Sequence, residues 1–173
     1  MQPVKIILLA IVAACLYGVV QDQVTARVCV EYFTIGHPPV FKTESPTLLA
    51  FGWGVIATWW VGAILGIALA LAARTGRRPK LPARDLVKPV AILLACIAAF
   101  ALVAGVAGYI AARSGAVWLM QPLASRIPAD RHAAFIADLW AHLAAYGGGF
   151  IGGVVLCVLT GRRRGRIPQE GQR

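Results

Sequence analysis

The sequence predicts an all-α integral membrane protein, a single domain built as a bundle of four transmembrane helices. Four apolar segments cover residues 4–20, 47–73, 86–112 and 133–160, and a helix of about 20 apolar residues crosses a bilayer. Charged residues make up only 14% of the 173-residue chain, against about 25% in soluble domains. Both observations indicate that lipid surrounds most of the chain, so the lipid bilayer is its first expected partner.

The first predicted span, residues 4–20, is short for a bilayer but continuously apolar. The letters VAAC at residues 12–15 also fit a lipoprotein cleavage site, with Cys15 as the acylated residue. However, the apolar run continues past Cys15 to Val20, and Lys5 is the only basic residue before it. We therefore interpret the segment as a retained first span, with lipidation of Cys15 as the alternative.

The second predicted span carries Gly62 and Gly66 four residues apart, a spacing that lets two helix backbones approach closely. Trp59 and Trp60 fall near its centre, although tryptophan usually prefers the membrane interface. We expect these two indoles to be buried in the bundle core, with the lining of a cavity as the alternative. The third span, residues 86–112, repeats small residues four apart and predicts another close-packing face.

The fourth predicted span, residues 133–160, follows Asp130, which is well placed as the N-cap of its helix. Gly149 and Gly153 form a second close-approach pair at a spacing of four. The glycines at 147–149 could also loosen or kink the helix. Small residues on several helices suit tight packing, either within one bundle or in a homo-oligomer.

Basic residues predict the orientation. The four spans are joined by the connections 21–46, 74–85 and 113–132 and are followed by the tail 161–173. Of 17 Lys and Arg residues, one (Lys5) lies at the N-terminal end of the first span, six lie in or beside 74–85 and five lie in the tail. Because basic residues stay cytoplasmic, we expect both termini inside, outer loops at 21–46 and 113–132, and residence in the cell inner membrane.

The net charge of +10 would suggest nucleic-acid binding in a soluble protein. Here the basic residues lie at the ends of spans, where membrane orientation and anionic lipid headgroups account for them. We therefore expect no nucleic-acid partner.

Ionisable residues concentrate on the predicted outer side, which holds all three histidines and five of the seven acids. Asp138, His142 and Tyr146 are spaced four residues apart, so they share one face of the last helix. A carboxylate one turn from an imidazole can orient the ring. We expect an Asp138–His142 pair near the outer boundary, where ionisable groups are costly and raise a functional hypothesis. A structural role is the favoured interpretation of His142 itself, and metal ligation or proton handling is the alternative.

A divalent metal site is a further hypothesis, because histidines and acids in one neighbourhood can satisfy such an ion. The spacing of these residues matches no established ligand motif, and no other cofactor is expected. The candidate ligands are His37, His132, Asp138 and His142, with Glu31 as an additional one.

The segment DQVTARVCVEYFT at residues 22–34 carries a D-Q-[VI]-[ST] element followed by E-Y-F-T. Together with a tryptophan pair in the second span and an A-H…Y-x-G-G element in the last, it resembles an uncharacterised family of bacterial inner-membrane proteins with four predicted spans. The matching positions outside residues 22–34 are Trp59, Trp60, Ala141, His142, Tyr146 and Gly148.

The resemblance covers the minor part of the chain and implies no particular chemistry. It implies a linked outer cluster, and it departs from the family where Val30 stands in place of a proline before the glutamate. The residues of that cluster are Asp22, Gln23, Glu31, Tyr32 and His142, to which the spacing argument adds Asp138.

These observations favour a non-enzymatic membrane protein that binds a protein partner or a small ligand through its outer polar cluster. The alternative is a metal- or proton-handling protein that uses Asp138 and His142. An embedded enzyme is the weakest hypothesis, because no Ser/His/Asp set, HExxH sequence or phosphate-binding glycine loop is recognisable. Since four helices enclose only a narrow conduit, transport would require a dimer.

Reporter fusions test the predicted orientation. Fusions after Arg78 and after Arg173 should both report a cytoplasmic position, because they follow the most basic segments. A fusion near Pro38 should report an external one. An external C-terminus would contradict the orientation and would move every outer-side assignment to the cytoplasm.

Overall fold

The computed structural model describes residues 1–166, and in that range it contains helices and turns but no strand. Most of the predicted tail, residues 167–173, lies outside the described residues. A single 3-10 turn, Ala129–Arg131, precedes the last helix. The helices are α1 Gln2–Val28, α2 Glu31–Thr34, α3 Pro46–Ile56, α4 Trp59–Arg74, α5 Arg84–Arg113, α6 Leu123–Arg126 and α7 His132–Gly165.

Four helical stretches are long and apolar enough to cross a membrane, so the predicted four-helix membrane bundle is confirmed. The first is α1, the second is α3 together with α4, the third is α5, and the fourth is the 3-10 turn together with α7. Helix α1 packs on α3 and α4, α5 packs on α7, and the contact of α4 with α7 joins the two pairs. Successive spans run in opposite directions, and the molecule is a multi-pass membrane protein.

The bundle has two chemically different ends. We call the end with the connections 29–45 and 114–131 the histidine end, and the end with residues 1 and 75–83 the basic end. A cluster of buried apolar side chains closes each end, around Phe135 and Ile136 at the histidine end and around Ile6 and Leu86 at the basic end. The space between these clusters is where a cavity forms.

Helix α1 extends beyond the predicted span, from Val20 to Val28. Asp22 and Gln23 therefore belong to a helix and not to a loop. The extension is held because Thr25 and Ala26 are buried at the histidine end, and because the Cys29 N–H still donates to the Thr25 carbonyl.

The start and middle of α7 also differ from the sequence expectation. Asp130 is not its N-cap, since it lies inside the 3-10 turn and Arg131 takes the N-cap position. The fixed backbone of Pro128 starts this turn just before the helix. The glycines at 147–149 leave the helix unbroken.

The second span is interrupted at Ala57 and Thr58, between α3 and α4. The Thr58 N–H donates to the Val55 carbonyl at 3.2 Å, one residue closer than in an α-helix. The Thr58 hydroxyl instead donates to the Gly54 carbonyl. A threonine side chain thus satisfies a backbone acceptor that the interruption frees, as a membrane interior requires.

The expectation that Trp59 and Trp60 are buried in the core is wrong. Their exposures in the isolated bundle are 50% and 48%, so both indoles lie on the surface that meets lipid. The interruption at Ala57–Thr58 resets the phase of the helix, and Trp53 is the tryptophan of this span that lies inside, on the cluster at the histidine end.

Gly62 and Gly66 lie where α4 meets the backbone of α1. A Cβ atom on Gly62 would stand 2.7 Å from the Ile11 Cα, and one on Gly66 would stand 2.9 Å from the Ala10 Cβ. Gly54 of α3 makes a similar approach to Gly18 of α1. Only glycine lets these helices pack so closely.

The glycine pair on α7 has a different environment. A Cβ on Gly153 would stand 2.8 Å from the Leu65 Cδ2, so Gly153 accommodates a side chain of α4. A Cβ on Gly149 would reach only the Ile97 Cδ1, at an ordinary 3.9 Å. Gly149 therefore does not bring two backbones together, and its surroundings leave room for a side chain.

Arginines at the basic end satisfy helix carbonyls. Arg164 is only 3% exposed, and its guanidinium donates to the carbonyls of Ala72, Thr75, Arg78 and Pro79 at 2.7–2.9 Å. Arg163 donates at 3.2 Å to the Asp85 carbonyl. In a regular α-helix this carbonyl would accept from the N–H of residue 89, but Pro89 has none.

The contact of α1 with α4 can be tested by one added methyl group. Gly62→Ala should lower the free energy of unfolding by about 1–3 kcal/mol, because its Cβ overpacks against α1. The control is Gly147→Ala, where a Cβ meets nothing within 4 Å and the better helix propensity of alanine should leave stability equal or higher. Thermal unfolding in one detergent measures both. Equal melting of Gly62→Ala and the parent would contradict the packing.

Candidate functional site

The centre of the candidate site is a hydrogen bond between two membrane helices. His142 of α7 places its Nε2 3.0 Å from the Asp22 Oδ1 of α1. Both side chains are nearly buried, with exposed fractions of 12% and 8%. The other ring nitrogen, Nδ1, lies 2.9 Å from the Asp138 backbone carbonyl. The bond between Asp22 and His142 thus connects helices whose other contacts are few.

These contacts specify the protons of the pair. The Asp138 carbonyl can only accept, so the His142 Nδ1 must carry hydrogen. The Nε2–Oδ1 contact then requires one further proton, either on Nε2 or on the Asp22 carboxyl. In either arrangement, Asp22 and His142 together carry no net charge.

Tyr32 covers this pair from the histidine end. Its ring stacks on His142, with centroids 4.5 Å apart and planes inclined by 29°. The Tyr32 ring also contacts Phe135 and His37, with ring centroids 5.4 Å and 4.9 Å away. Burial first, and then the nearby charge of Asp22, raise the pKa of Tyr32. The hydroxyl therefore stays protonated and can donate a hydrogen bond.

Glu31 lies close in sequence to this cluster but has another partner. Its Oε2 is 3.3 Å from the Arg131 Nε, and the Cys29 thiol donates to the same oxygen at 3.3 Å. Burial acts to raise the pKa of Glu31, but its backbone N–H, the Cys29 thiol and the Arg131 charge lower it below the usual value. Burial and the neighbouring carboxylate raise the pKa of Cys29 to about 12, so it remains a thiol.

The Glu31–Arg131 pair has a positioning role. Arg131 also donates from its Nη2 to the Val28 carbonyl at 2.9 Å. The two contacts tie the end of α1 and the short helix α2 to the start of α7. They hold α2 at the place from which Tyr32 reaches His142.

The expected side-chain pair of Asp138 and His142 does not form. A helical side chain leans toward the N-terminus of its helix, so the imidazole lies over the Asp138 carbonyl and directs its far nitrogen to α1. The Asp138 side chain is 4% exposed, and its Oδ2 has no hydrogen-bond partner. Thr25 Oγ1 is the other buried side-chain atom without a partner among residues 1–166.

Of the remaining predicted site residues, His37 stays beside Tyr32, whereas Gln23 and His132 lie apart from the pair. Gln23 donates to the Thr47 carbonyl at 3.2 Å and accepts from Arg27, away from His142. His37 and His132 each place one ring nitrogen against a backbone carbonyl, those of Tyr32 and Ile127. Within residues 1–166, no three His, Cys, Asp or Glu side chains are grouped in a way that could hold a metal ion.

A cavity of about 160 Å³ begins at the Asp22–His142 pair and continues between the four spans toward the basic end. Its walls are mainly apolar side chains from α1, α4, α5 and α7, and the interruption at Ala57–Thr58 forms part of one wall. Backbone that leaves the helical pattern at membrane depth typically lines such a cavity. The side chains at its polar end are Tyr17, Gln21, Asp22, Tyr32, His37, Trp53, His142 and Tyr146.

Sequence reasoning missed Tyr17, Gln21 and Trp53 as residues of this site. Tyr17 and Gln21 are four apart, and the tyrosine hydroxyl lies 3.4 Å from the glutamine Oε1. Their spacing would have placed them on one face with Asp22 nearby, had the first helix been extended beyond Val20. Trp53 gave no comparable signal, because its inward direction depends on the interruption that follows it.

Comparisons of the chain with protein-family models, with curated proteins and with solved structures each give no match. The site is therefore interpreted from its own geometry and chemistry.

A double-mutant cycle tests which carboxylate His142 uses. Asp22→Asn and His142→Gln should show a coupling energy of about 0.5–3 kcal/mol in the free energy of unfolding, because each replaces one partner of the same carboxyl–imidazole hydrogen bond. The matched cycle of Asp138→Asn with His142→Gln should be close to additive, since only the Asp138 backbone contacts the imidazole. Coupling to Asp138 without coupling to Asp22 would contradict the site as described.

Proposed function

We propose that this protein binds a small amphipathic molecule from the lipid phase, in the cavity between its four spans. The polar group of the ligand would contact Asp22, His142 and Tyr32, and its apolar part would extend toward Leu65 and Leu93. The observation that carries the proposal is the direct continuity of a buried ionisable pair with an apolar cavity. This version of the ligand-binding hypothesis replaces Asp138 by Asp22 as the partner of His142.

The cost of burying ionisable groups supports a functional role. An aspartate and a histidine inside a membrane bundle destabilise it unless they are paired, and such residues generally face substrate or ion pathways. The basic end is closed by apolar side chains, arginine–carbonyl bonds and a contact of Gln2 with the Ala83 N–H, without a buried carboxylate–histidine pair. Closing an end of the bundle therefore does not require a pair such as Asp22 and His142, which supports a further role for it.

The size of the cavity restricts the ligand. A volume of about 160 Å³ is close to that of an apolar protein cavity of about 150 Å³ that holds one benzene molecule. The ligand portion inside the bundle is accordingly one ring or a short chain. Gly149 keeps part of the cavity open, because it lines the cavity and its surroundings leave room for a larger side chain to enter it.

The same proposal includes the membrane in which the protein lies and its orientation there. The basic end would face the cytoplasm of a bacterial cell and the histidine end would face outward, so that ligand reaches the pair from the outer half of the inner membrane. A homo-oligomer or membrane-protein partner stays a prediction. Gly62, Gly66 and Gly153, which suggested it, are occupied by contacts within one bundle.

A binding assay with one neutral probe tests the proposed function. We expect 4-fluorobenzyl alcohol to show saturable line broadening in ¹⁹F NMR with the protein in lipid nanodiscs, above the linear partitioning that empty nanodiscs give. Gly149→Leu should abolish the saturable part, because its side chain enters the cavity. Gly147→Leu, with no atom within 4 Å of the site of a Cβ, should keep it.

Two results would contradict the proposal. One is the absence of a saturable component with the parent protein. The other is equal binding by Gly149→Leu and the parent, which would place the probe outside the cavity.

A further inference from the structure

We propose that the ligand of the cavity is a small lipophilic cation, an alkyl- or arylammonium compound, which binds in exchange for the proton shared by Asp22 and His142. The inference rests on the proposed function and names its ligand class. It is drawn from the charges around the cavity, from its aromatic walls and from the protons of the pair.

The charges of the cavity wall exclude one class of amphiphile. Asp22 is the acidic residue that lines the cavity, and the lining contains no Lys or Arg. Arg131, a basic residue at the same end of the bundle, is bound to Glu31 outside the cavity. The two histidines of the lining already have acceptors, since His37 contacts the Tyr32 carbonyl and His142 contacts Asp22. A fatty acid or a phosphate ester would bring a second negative charge beside Asp22 with no Lys or Arg to pair with it, and burial makes such an arrangement very costly.

Aromatic walls favour a cation over a neutral ligand. Tyr17, Tyr32, Trp53 and Tyr146 all line the polar end of the cavity. The face of an aromatic ring attracts an ammonium group, and quaternary ammonium ligands are typically bound by aromatic cages. The carboxylate of Asp22 at the same end supplies the charge that such a cage requires.

Release of the shared proton compensates the positive charge of the ligand. In the ligand-free protein, Asp22 and His142 hold one proton beyond the one on the His142 Nδ1, and the pair is neutral. When a cation enters beside Asp22, that proton leaves to solvent from Nε2 or from the carboxyl, and a neutral imidazole remains beside a negatively charged carboxylate. One positive charge enters and one leaves, so the total charge of the cavity does not change and no bond other than N–H or O–H is broken.

Other titratable groups also lie near Asp22. Tyr17 lies on α1, Tyr32 and His37 lie on α2 and the following residues, and Asp138 and Tyr146 lie on α7 with His142. The residues of α3, α4 and α5 that line the cavity are not titratable. His142 alone is hydrogen-bonded to Asp22, so the proton that responds to a cation is the one between these two.

Calorimetry with three probes of similar size tests the proposal. The parent protein in nanodiscs is titrated with benzyltrimethylammonium, 4-fluorobenzyl alcohol and benzoate, each in two buffers of different ionisation enthalpy. We expect the ammonium compound to bind most tightly and to release about one proton per molecule, the amount that charge neutrality requires. The alcohol should bind more weakly without proton release, and benzoate should not bind.

Two isosteric variants locate the charge. Asp22→Asn should weaken binding of the ammonium compound by about tenfold or more, as loss of a buried opposite charge does, and should remove the proton release. Asp85→Asn is the matched control, because this carboxylate lies beside Arg84 near the basic end and does not line the cavity; binding and proton release should persist. If Asp22→Asn does not fold, the ranking of the probes and the proton release of the parent still decide the result.

The outcomes separate the two proposals. Binding of the alcohol with no preference for the ammonium compound, or binding of the ammonium compound without proton release, would overturn the cation proposal and leave the proposed function standing. Preference for benzoate would overturn the cation proposal in the same way. Binding of none of the three probes would overturn both.

Discussion

The hydrogen bond between His142 and Asp22 is the interaction on which the rest of this structure depends. In a bilayer, an unpaired polar group cannot be satisfied by water, so an aspartate on α1 and a histidine on α7 must find each other or destabilise the bundle. Their bond fixes how these two helices are rotated, although few other contacts join them. Both groups also lie at the wall of a cavity, a space that a fully packed interior would not contain.

The same constraint explains the irregular features around the cavity. The interruption of the second span is tolerated because the Thr58 hydroxyl donates a hydrogen bond to the Gly54 carbonyl, which has lost its helical partner. The missing N–H of Pro89 is compensated by Arg163, and the end of α4 is held by Arg164. In each case a side chain of this protein satisfies a backbone carbonyl. Among residues 1–166, the buried side-chain atoms left without a partner are the Asp138 Oδ2 and the Thr25 Oγ1.

The sequence allowed the four spans to be predicted because length and apolar composition are local properties. The partner of His142 was not predictable in this way, since Asp22 stands 120 residues away and the pairing depends on the rotation of α1 against α7. Asp138 satisfied the spacing rule, but a helix directs the imidazole over its own i−4 carbonyl. The outward direction of Trp59 and Trp60 has a similar cause. The two non-helical residues that precede them, Ala57 and Thr58, change the rotational phase of the span.

A distance measurement tests the central claim most directly. Solid-state NMR on protein in lipid, with ¹⁵N in histidine and ¹³C at Cγ of aspartate, reports whether the His142 Nε2 lies beside an aspartate carboxyl carbon. The account predicts a strong dipolar coupling at Nε2 that disappears in Asp22→Asn and persists in Asp138→Asn. A coupling that survives in Asp22→Asn and disappears in Asp138→Asn would contradict it.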